Sequence, residues 1–409
     1  MSKTINRQQS VLISGASITG PALAYWLAQY GFKVTIVERA PALRPGGYAV
    51  DIRGAAIDVV RRMGILDAVH AADTGSNGLY LIDAKGEPIT QMNDAATGNQ
   101  RGVDVEILRE DIGKILYDQS KDKVEYIWAD SIAEMTETNE GVAVTFEHAQ
   151  GRTFDLVIGA DGQHSTVRRL TFGDESQFSH SLGCYISIST IPNFLKLDHR
   201  QVVYNVPGKT IGAYSARNNS EAKALFVFKS EPLHYDFHDV AAQKKLLTDA
   251  IGDEPGWQTP ALVRAMQSSP DFYFDSIAQI RMDTWHKGRI ALVGDAAYGP
   301  SPASGQGTSL AIVGAYVLAG ELQAAAGNYE QAFAAYEKEM RPFVEASQKI
   351  GLMAADSMIE SSAFKLRLRN VMVHVPGLMK YIQWQINNMV KKAANTLVLK
   401  DYRALFEQK

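Results

Sequence analysis

Three short segments of this chain carry the residue types that hold a nucleotide. They are Gly15-Ala16-Ser17-Ile18-Thr19-Gly20, Gly159-Ala160-Asp161-Gly162 and Gly294-Asp295-Ala296-Ala297. In the first, a strand-like run Val11–Ser14 enters a glycine turn that leads into a helix beginning near Pro21, a residue favoured at the first helical position. Gly15 permits the tight turn, and Gly20 lets helix and strand approach closely. The N–H groups at the helix start, with the dipole behind them, suit a diphosphate. Ser17 stands where the usual fingerprint has its middle glycine, so the turn alone also fits an ordinary strand–turn–helix. Glu38 decides between the two. It follows the strand Val34–Val37 and lies 23 residues after Gly15, close to the spacing of about 20 expected of a carboxylate that grips a ribose hydroxyl.

The other two segments each follow an apolar run, Leu156–Ile158 and Ile290–Val293. A nicotinamide dehydrogenase needs only the first segment, whereas a protein that wraps a whole FAD needs all three. The pattern therefore predicts FAD.

The elements that must position these turns are legible at coarse grain. The first helix runs Pro21–Tyr30 and stops at Gly31. A loop through Pro41–Pro45 and Gly46-Gly47 ends in Asp51-Ile52-Arg53-Gly54, followed by a helix over Ala55–Met63 and another near Asp111–Ser120. Val142–Phe146 and Thr153–Ile158 alternate as strands do. Between the second and third segments, Leu182–Lys229 reads as strands separated by turns at Pro207-Gly208 and Asn218-Asn219. This block is expected to be an inserted antiparallel sheet that covers a substrate. The fold class is thus α/β, a Rossmann-type FAD-binding domain with an inserted antiparallel-sheet substrate domain and C-terminal helices. Residues 1–75, 100–177 and 273–342 are assigned to a discontinuous FAD-binding domain. Residues 76–99 and 178–272 go to the substrate domain, and 343–409 to a C-terminal helical segment.

In that last part, helices are expected at Thr308–Ala326, Tyr329–Met340 and from Phe343 onward. Leu378, Ile382, Ile386, Met389, Ala393 and Leu397 recur at steps of three or four, an apolar helix face. Lys380, Lys391 and Lys392 make a membrane-surface helix one reading; packing across the junction of the two domains is the expected one.

Composition fits a globular enzyme, with 46% apolar and 21% charged residues over 409 positions. A net charge of −4 gives no electrostatic reason to expect nucleic acid. The single cysteine, Cys184, rules out an internal disulfide and fits a reducing, cytoplasmic setting. Met1–Ser10 has no signal-peptide apolar region, and no run is long enough to span a bilayer. No metal site is expected: His234 and His238 lack a companion acidic motif. Gly15–Gly20 has the wrong length for a nucleophile elbow.

Together the segments resemble the class A flavoprotein monooxygenases of the para-hydroxybenzoate hydroxylase type. The likeness rests on Gly15–Gly20 with Glu38-Arg39, on Arg109, on Asp161-Gly162-Gln163-His164-Ser165-Thr166-Val167-Arg168, and on Gly294-Asp295 followed by Pro300-Ser301-Pro302 and Gly305-Gln306-Gly307. Within that family the chain is most similar to the tetracycline-inactivating flavin monooxygenases. Pro21–Leu27, Asp51–Gly54, Asp271–Asp275 and the long terminal helix look like theirs.

The resemblance implies FAD, NADPH as a transient co-substrate, dioxygen, and hydroxylation of a phenolic or polycyclic compound through a C4a-hydroperoxyflavin. It places cofactor contacts at Gly15, Ser17, Gly20, Glu38, Arg39, Arg53, Arg109, Asp161, Gly162, Gly294, Asp295, Pro302, Gly305, Gln306 and Gly307. Asp295 would bind ribityl hydroxyls, Arg109 the ribityl–phosphate region, and the start of the Thr308 helix the pyrimidine edge. A structural ion pair accounts equally well for Arg168. No side-chain catalyst is required. Substrate contacts are expected among Ile188, Tyr204, Tyr214, Arg217 and Phe226, on a small aromatic or polycyclic molecule. Ile188 and Lys223 stand near positions that are polar in some tetracycline-inactivating relatives, so another polycyclic substrate stays open. A monomer is expected. Two other functions remain compatible: a flavin oxidase or dehydrogenase without oxygen transfer, and a non-catalytic flavin- or drug-binding protein.

Overall fold

The strands that carry the three glycine turns lie side by side. A computed structural model describes residues 8–44, 46–92, 103–252, 254–375, 377–402 and 404. The stretch Met1–Arg7, Pro45 and the end of the 76–99 segment lie outside the described residues. The central sheet is ordered β17 (His286–Lys287), β18 (Ile290–Leu292), β11 (Leu156–Gly159), β1 (Ser10–Ser14), β2 (Lys33–Glu38), β7 (Glu125–Trp128). All neighbours are parallel except the edge pair β17–β18. Covered on both faces, β1 and β11 are buried at nearly every position and apolar at their centres, as a buried parallel strand must be. Their carboxyl ends all open on one edge, where ligands bind in such sheets.

α1 (Thr19–Gln29) starts two residues earlier than the sequence suggested, because Ile18 is its N-cap. It packs on α9 (Gly307–Ala324) and α4 (Arg109–Ser120). α9 is buried along almost its whole length, which its Ala and Gly content permits. α2 (Ala55–Arg62) and α3 (Leu66–Ala71) follow a two-stranded ribbon of β3 (Ala49–Ile52) and β6 (Val105–Leu108). A small sheet, β8 (Ile132–Glu137), β9 (Val142–Phe146) and β10 (Arg152–Phe154), and the short α5 (Thr166–Phe172) and α8 (Asp295–Tyr298) complete this part.

The second large sheet is ordered β16 (Phe272–Ile280), β12 (Ser179–Pro192), β15 (Glu221–Lys229), β14 (Lys209–Ala216), β13 (Gln201–Val206), β4 (Leu79–Ile82), β5 (Pro88–Met92). It is antiparallel except between β13 and β4. One face carries Tyr185, Tyr204, Ile211, Phe226, Phe228 and Phe274, which form a core with α6 (Val240–Ile251) and α7 (Thr259–Ser268). The opposite face carries Cys184, Ile186, Ile188, Leu225, Val227 and Tyr273, packed with Tyr48 and Ala303 from the nucleotide side.

The expected break between Met340 and Phe343 does not occur. α10 runs unbroken from Tyr329 to Met358 with Pro342 inside it. Proline removes one helical hydrogen bond, but Met340, Phe343 and Val344 on either side are buried and hold the helix straight through. α11 (Ala363–Met372) and α12 (Leu378–Ala394) follow. Val390 and Ala393 of α12 pack with Ile350 of α10, and Met389 lies against them; the Ile382 and Ile386 side chains lie outside the description. Among the described residues no helix is long and apolar enough to cross a membrane.

Candidate functional site

At the open edge of the parallel sheet the three glycine segments touch. The Ala160 N–H donates to the Ser14 carbonyl at 2.9 Å, and the Val293 N–H to the Gly159 carbonyl at 2.9 Å. Gly15 has φ +104°, and a Cβ there would stand 2.6 Å from the Ala160 oxygen. A Cβ on Gly20 would collide with the Gly15 carbonyl. Gly294, at φ +69°, sits against Thr19 of α1, where a Cβ would be 2.6 Å from its hydroxyl oxygen. The junction is a wall of bare backbone.

Polar groups converge on that wall. Glu38 accepts from the Ala16 N–H at 2.7 Å and the Ala40 N–H at 2.9 Å, which holds the carboxylate beside the glycine turn. No side chain caps α1, so its first turn keeps N–H groups for an anion. Arg109 opens α4 and donates to the Ser17 hydroxyl at 3.0 Å. Arg44, which the sequence reading did not single out, stands close to it. Burial lowers the Arg44 pKa, and repulsion from Arg109 lowers it further. Two guanidinium groups beside a helix N-terminus create a field for a diphosphate. Arg39 points to solvent next to Glu38.

Asp295 marks the wall of an interior cleft. Its side chain is solvent-exposed, yet surrounding protein raises its carboxyl pKa, opposed by Arg109 and reinforced by Asp275. The carboxylate is thus open to space yet closely surrounded by protein. Tyr48 and Tyr273 pack nearby with ring centres 5.2 Å apart and tilted by 42°, and the Arg109 guanidinium is 5.9 Å from the Tyr48 ring. On the far side, Ser301 caps the turn begun by Pro302. Gly305 takes a left-handed conformation against the Asp51–Arg53 ion pair, which is 2.9 Å long. Glu106, opposite Asp51 on the β3–β6 ribbon, is pushed up to about 7 by burial and then by the Asp51 charge.

Gln306 is the N-cap of α9 and is fully buried, and neither its amide oxygen nor its nitrogen has a partner. An unpaired donor and acceptor at an uncapped helix start fit a heteroaromatic edge that presents both complements. Gly307 lies close to Asp295. These residues fit FAD: a backbone cradle, cations and helix N–H groups for diphosphate, carboxylates for hydroxyls, and α9 for the ring.

The second segment divides its work. Asp161 accepts from the Ser165 hydroxyl at 2.5 Å and from the Val167 N–H at 3.1 Å, fixing the turn into α5; Gly162 follows at φ +80°. Arg168 is fully buried. It donates to the carbonyls of Ala296 and Gln163 and pairs with Glu175 at 3.1 Å, tying the second segment to the third as a structural pin. His164 lies between Glu175 (2.9 Å) and Asp275 (3.2 Å). Burial opposes its charge, but the hydrogen bonds to Asp275 and Glu175 outweigh it and raise the pKa to about 9.

The large antiparallel sheet separates the substrate candidates. Ile188 belongs to the cluster facing the nucleotide side, and the Tyr214 hydroxyl accepts from the Ala49 N–H at 3.1 Å. Tyr204 and Phe226 point the other way, into the core under α6 and α7, with the Tyr204 hydroxyl on Glu254 at 3.0 Å. The Pro207-Gly208 turn held the signal. It pairs Val206 with Lys209, hence Tyr204 with Ile211 and Gln201 with Tyr214, and such partners share a face. Tyr204 and Tyr214, on alternate parities, must therefore oppose each other. Arg217 sits in a left-handed turn and pairs with Glu110 and with Asp111, bracing the sheet against α4.

Residues 8–349 match the FAD binding domain family. A flavin-dependent monooxygenase from an unknown prokaryotic organism is 41% identical, over 91% of this chain and 96% of its own length. The chain belongs to the flavin-dependent monooxygenases. A protein of Mycobacterium tuberculosis without an assigned function is 47% identical to this monooxygenase, over 83% of this chain and 92% of that one. In three dimensions this chain resembles the tetracycline destructase Tet(51), with a TM-score of 0.85 and 37% identity over 97% of this chain and all of the other. The cofactor is FAD and the protein is an FAD-dependent monooxygenase.

Proposed function

We propose that this monooxygenase uses NADPH and dioxygen to hydroxylate a small aromatic or polycyclic compound, and that tetracyclines are the first class to test. One observation carries the reading. The sheet face bearing Ile188 and Tyr273 is turned toward the cleft that exposes Asp295, so a flat molecule lying on it meets the end of the cofactor site. Likeness to Tet(51) over almost the whole chain favours tetracyclines within that class.

FAD, when bound, supplies the electron transfer and oxygen activation. The chain's own residues do the rest. Glu38 takes the ribose hydroxyls, the α1 N-terminus with Arg109 and Arg44 holds the diphosphate, and Asp295 accepts from ribityl hydroxyls. Arg39 covers the adenine. The α9 N-terminus, Gly305–Gly307, places positive potential at the ring's pyrimidine edge, where negative charge is best stabilised. Arg53 and Pro302 shape that turn. The apolar face with Ile188, Leu225 and Tyr273 positions substrate and keeps water out. Tyr214 offers a hydroxyl at its edge. NADPH is used transiently, since the chain has one glycine-rich turn of the dinucleotide type. In balance, substrate C–H, dioxygen, NADPH and a proton give the hydroxylated product, NADP and water. The protein works as a cytoplasmic monomer.

The test is a compound panel scored for stimulated NADPH oxidation, with peroxide measured beside product. Tight stoichiometry of NADPH and oxygenated product supports hydroxylation. Stimulated oxidation that yields peroxide alone would make the protein an oxidase.

A further inference from the structure

The nucleotide and substrate sites leave one part of the molecule unexplained: two consecutive helices that turn apolar side chains outward. On α11, Phe364, Leu368 and Val371 are 73%, 46% and 65% exposed, and Val375 just beyond it is 46% exposed. At 3.6 residues per turn Phe364, Leu368 and Val371 fall within roughly 60° of arc. Lys365 and Arg367, both exposed, flank that stripe on either side, and Leu366 on the opposite side is buried. The usual arrangement of a surface helix is inverted. α12 continues the pattern with Tyr381 and Trp384, 55% and 59% exposed and stacked 6.1 Å apart. Leu352 and Met353, late in α10, are exposed as well.

Charge identifies what covers this surface. From Ser361 to Lys400 the chain has seven Lys and Arg and no Asp or Glu, although its net charge is −4; of these, Arg369 turns inward and Lys400 pairs with Glu321 and Glu339. Lys391 and Lys392 at the end of α12 are exposed, and Lys365 stands 3.8 Å from the Glu360 carboxylate. A second copy meeting this face about a twofold axis would oppose cation to cation. A bilayer rich in anionic lipid supplies both needs, an apolar layer for Phe364, Leu368, Val371 and Trp384 and negative headgroups for the flanking bases.

We propose that α11 and α12 form a docking surface for an anionic membrane, lying in the headgroup region without crossing it. The surface is coupled to the interior. Arg369 on the buried side of α11 donates to Asn205 of β13 at 3.0 Å. The segment before it places Ile359 in the cluster with Ile186 and Ile188. Docking therefore sets the apolar end of the antiparallel sheet next to the bilayer.

The experiment uses the full-length, FAD-loaded protein in flotation with vesicles of phosphatidylcholine alone or mixed with phosphatidylglycerol. Binding is expected only to the mixed vesicles, with a blue shift of tryptophan emission that Trp384→Phe removes. Lys365→Gln with Arg367→Gln is expected to weaken partitioning about 25-fold, at roughly fivefold per cation. Phe364→Glu with Leu368→Glu is expected to abolish it. Because these side chains are exposed, flavin content and melting temperature should stay at wild-type values, which separates lost docking from lost folding. Failure to bind mixed vesicles at low salt overturns the proposal, as does equal binding to both vesicle types. Wild-type dimers that Phe364→Glu with Leu368→Glu converts to monomers would assign the surface to a second copy instead.

Discussion

The parallel and antiparallel sheets of this monooxygenase present their functional groups in opposite ways. On the parallel sheet the work falls to backbone at strand ends: Gly15, Gly20 and Gly294 form a wall that any side chain would block. On the antiparallel sheet the proposed substrate contacts are side chains in mid-strand, where neighbours on one strand turn to opposite faces. Ile188 faces the cleft, while Tyr185 on the same strand is core. A site made of backbone tolerates almost no change at its glycines. A site made of alternating side chains separates sharply into positions that tune chemistry and positions that hold the fold.

The largest expected effect is at the wall. Gly20→Val puts a side chain into the Gly15 carbonyl, and overpacking of about 3 kcal/mol or more should leave little folded, yellow protein. Thermal melting and flavin absorbance on the purified variant check this; a stable, flavin-loaded Gly20→Val protein would break the comparison.

Next come the two faces of the antiparallel sheet. Phe226→Ala removes a fully buried ring and should cost about 3–5 kcal/mol in denaturant unfolding. The fraction that folds should keep its KM. Tyr214→Phe should do the reverse, with stability nearly unchanged and KM altered. Matching kinetic defects in both variants would mean that the faces are not divided.

A smaller effect separates cofactor from substrate. Asp295→Ala should weaken FAD retention roughly 10- to 100-fold, the worth of one or two charged hydrogen bonds, whereas Tyr214→Ala should retain it. Equal retention on dialysis would remove Asp295 from the cofactor site.

The smallest effects appear as pH dependence. The folded state favours protonated His164, so that contribution is complete below pH 6.5 and fades as pH rises through about 9. Glu106 is also held protonated by the fold; its contribution is complete below pH 4.5 and fades as pH rises through about 7. Both make the protein less stable on alkalinisation, in different windows. His164→Gln should flatten the melting-temperature profile in the upper window only, and Glu106→Gln in the lower. One variant flattening both windows would show that the groups do not titrate independently.

What was legible in the sequence follows the same division. The three turns were readable because backbone conformations at positive φ are written as glycine, and Glu38 because its strand fixes the distance to Gly15. Arg44, Tyr48 and Asp275 were not, since their place in the cleft depends on segments packed together from far along the chain. Tyr204 was open to correction from the Pro207-Gly208 hairpin, whose register fixes which tyrosine faces which way, and Phe226 from the next hairpin, which pairs it with Ile211 on the Tyr204 face. Pro342 misled for a different reason: burial on both sides of it outweighs one lost hydrogen bond.

The central claim is that the cleft between the two sheets delivers an oxygen atom from dioxygen to a substrate on the antiparallel face. Mass analysis of the product formed from tetracycline, NADPH and isotopically heavy dioxygen tests it most directly. The account predicts one heavy oxygen in the product, with a slower but equally labelled reaction in Tyr214→Phe. Unlabelled tetracycline, recovered while heavy hydrogen peroxide accumulates in step with NADPH loss, would contradict it.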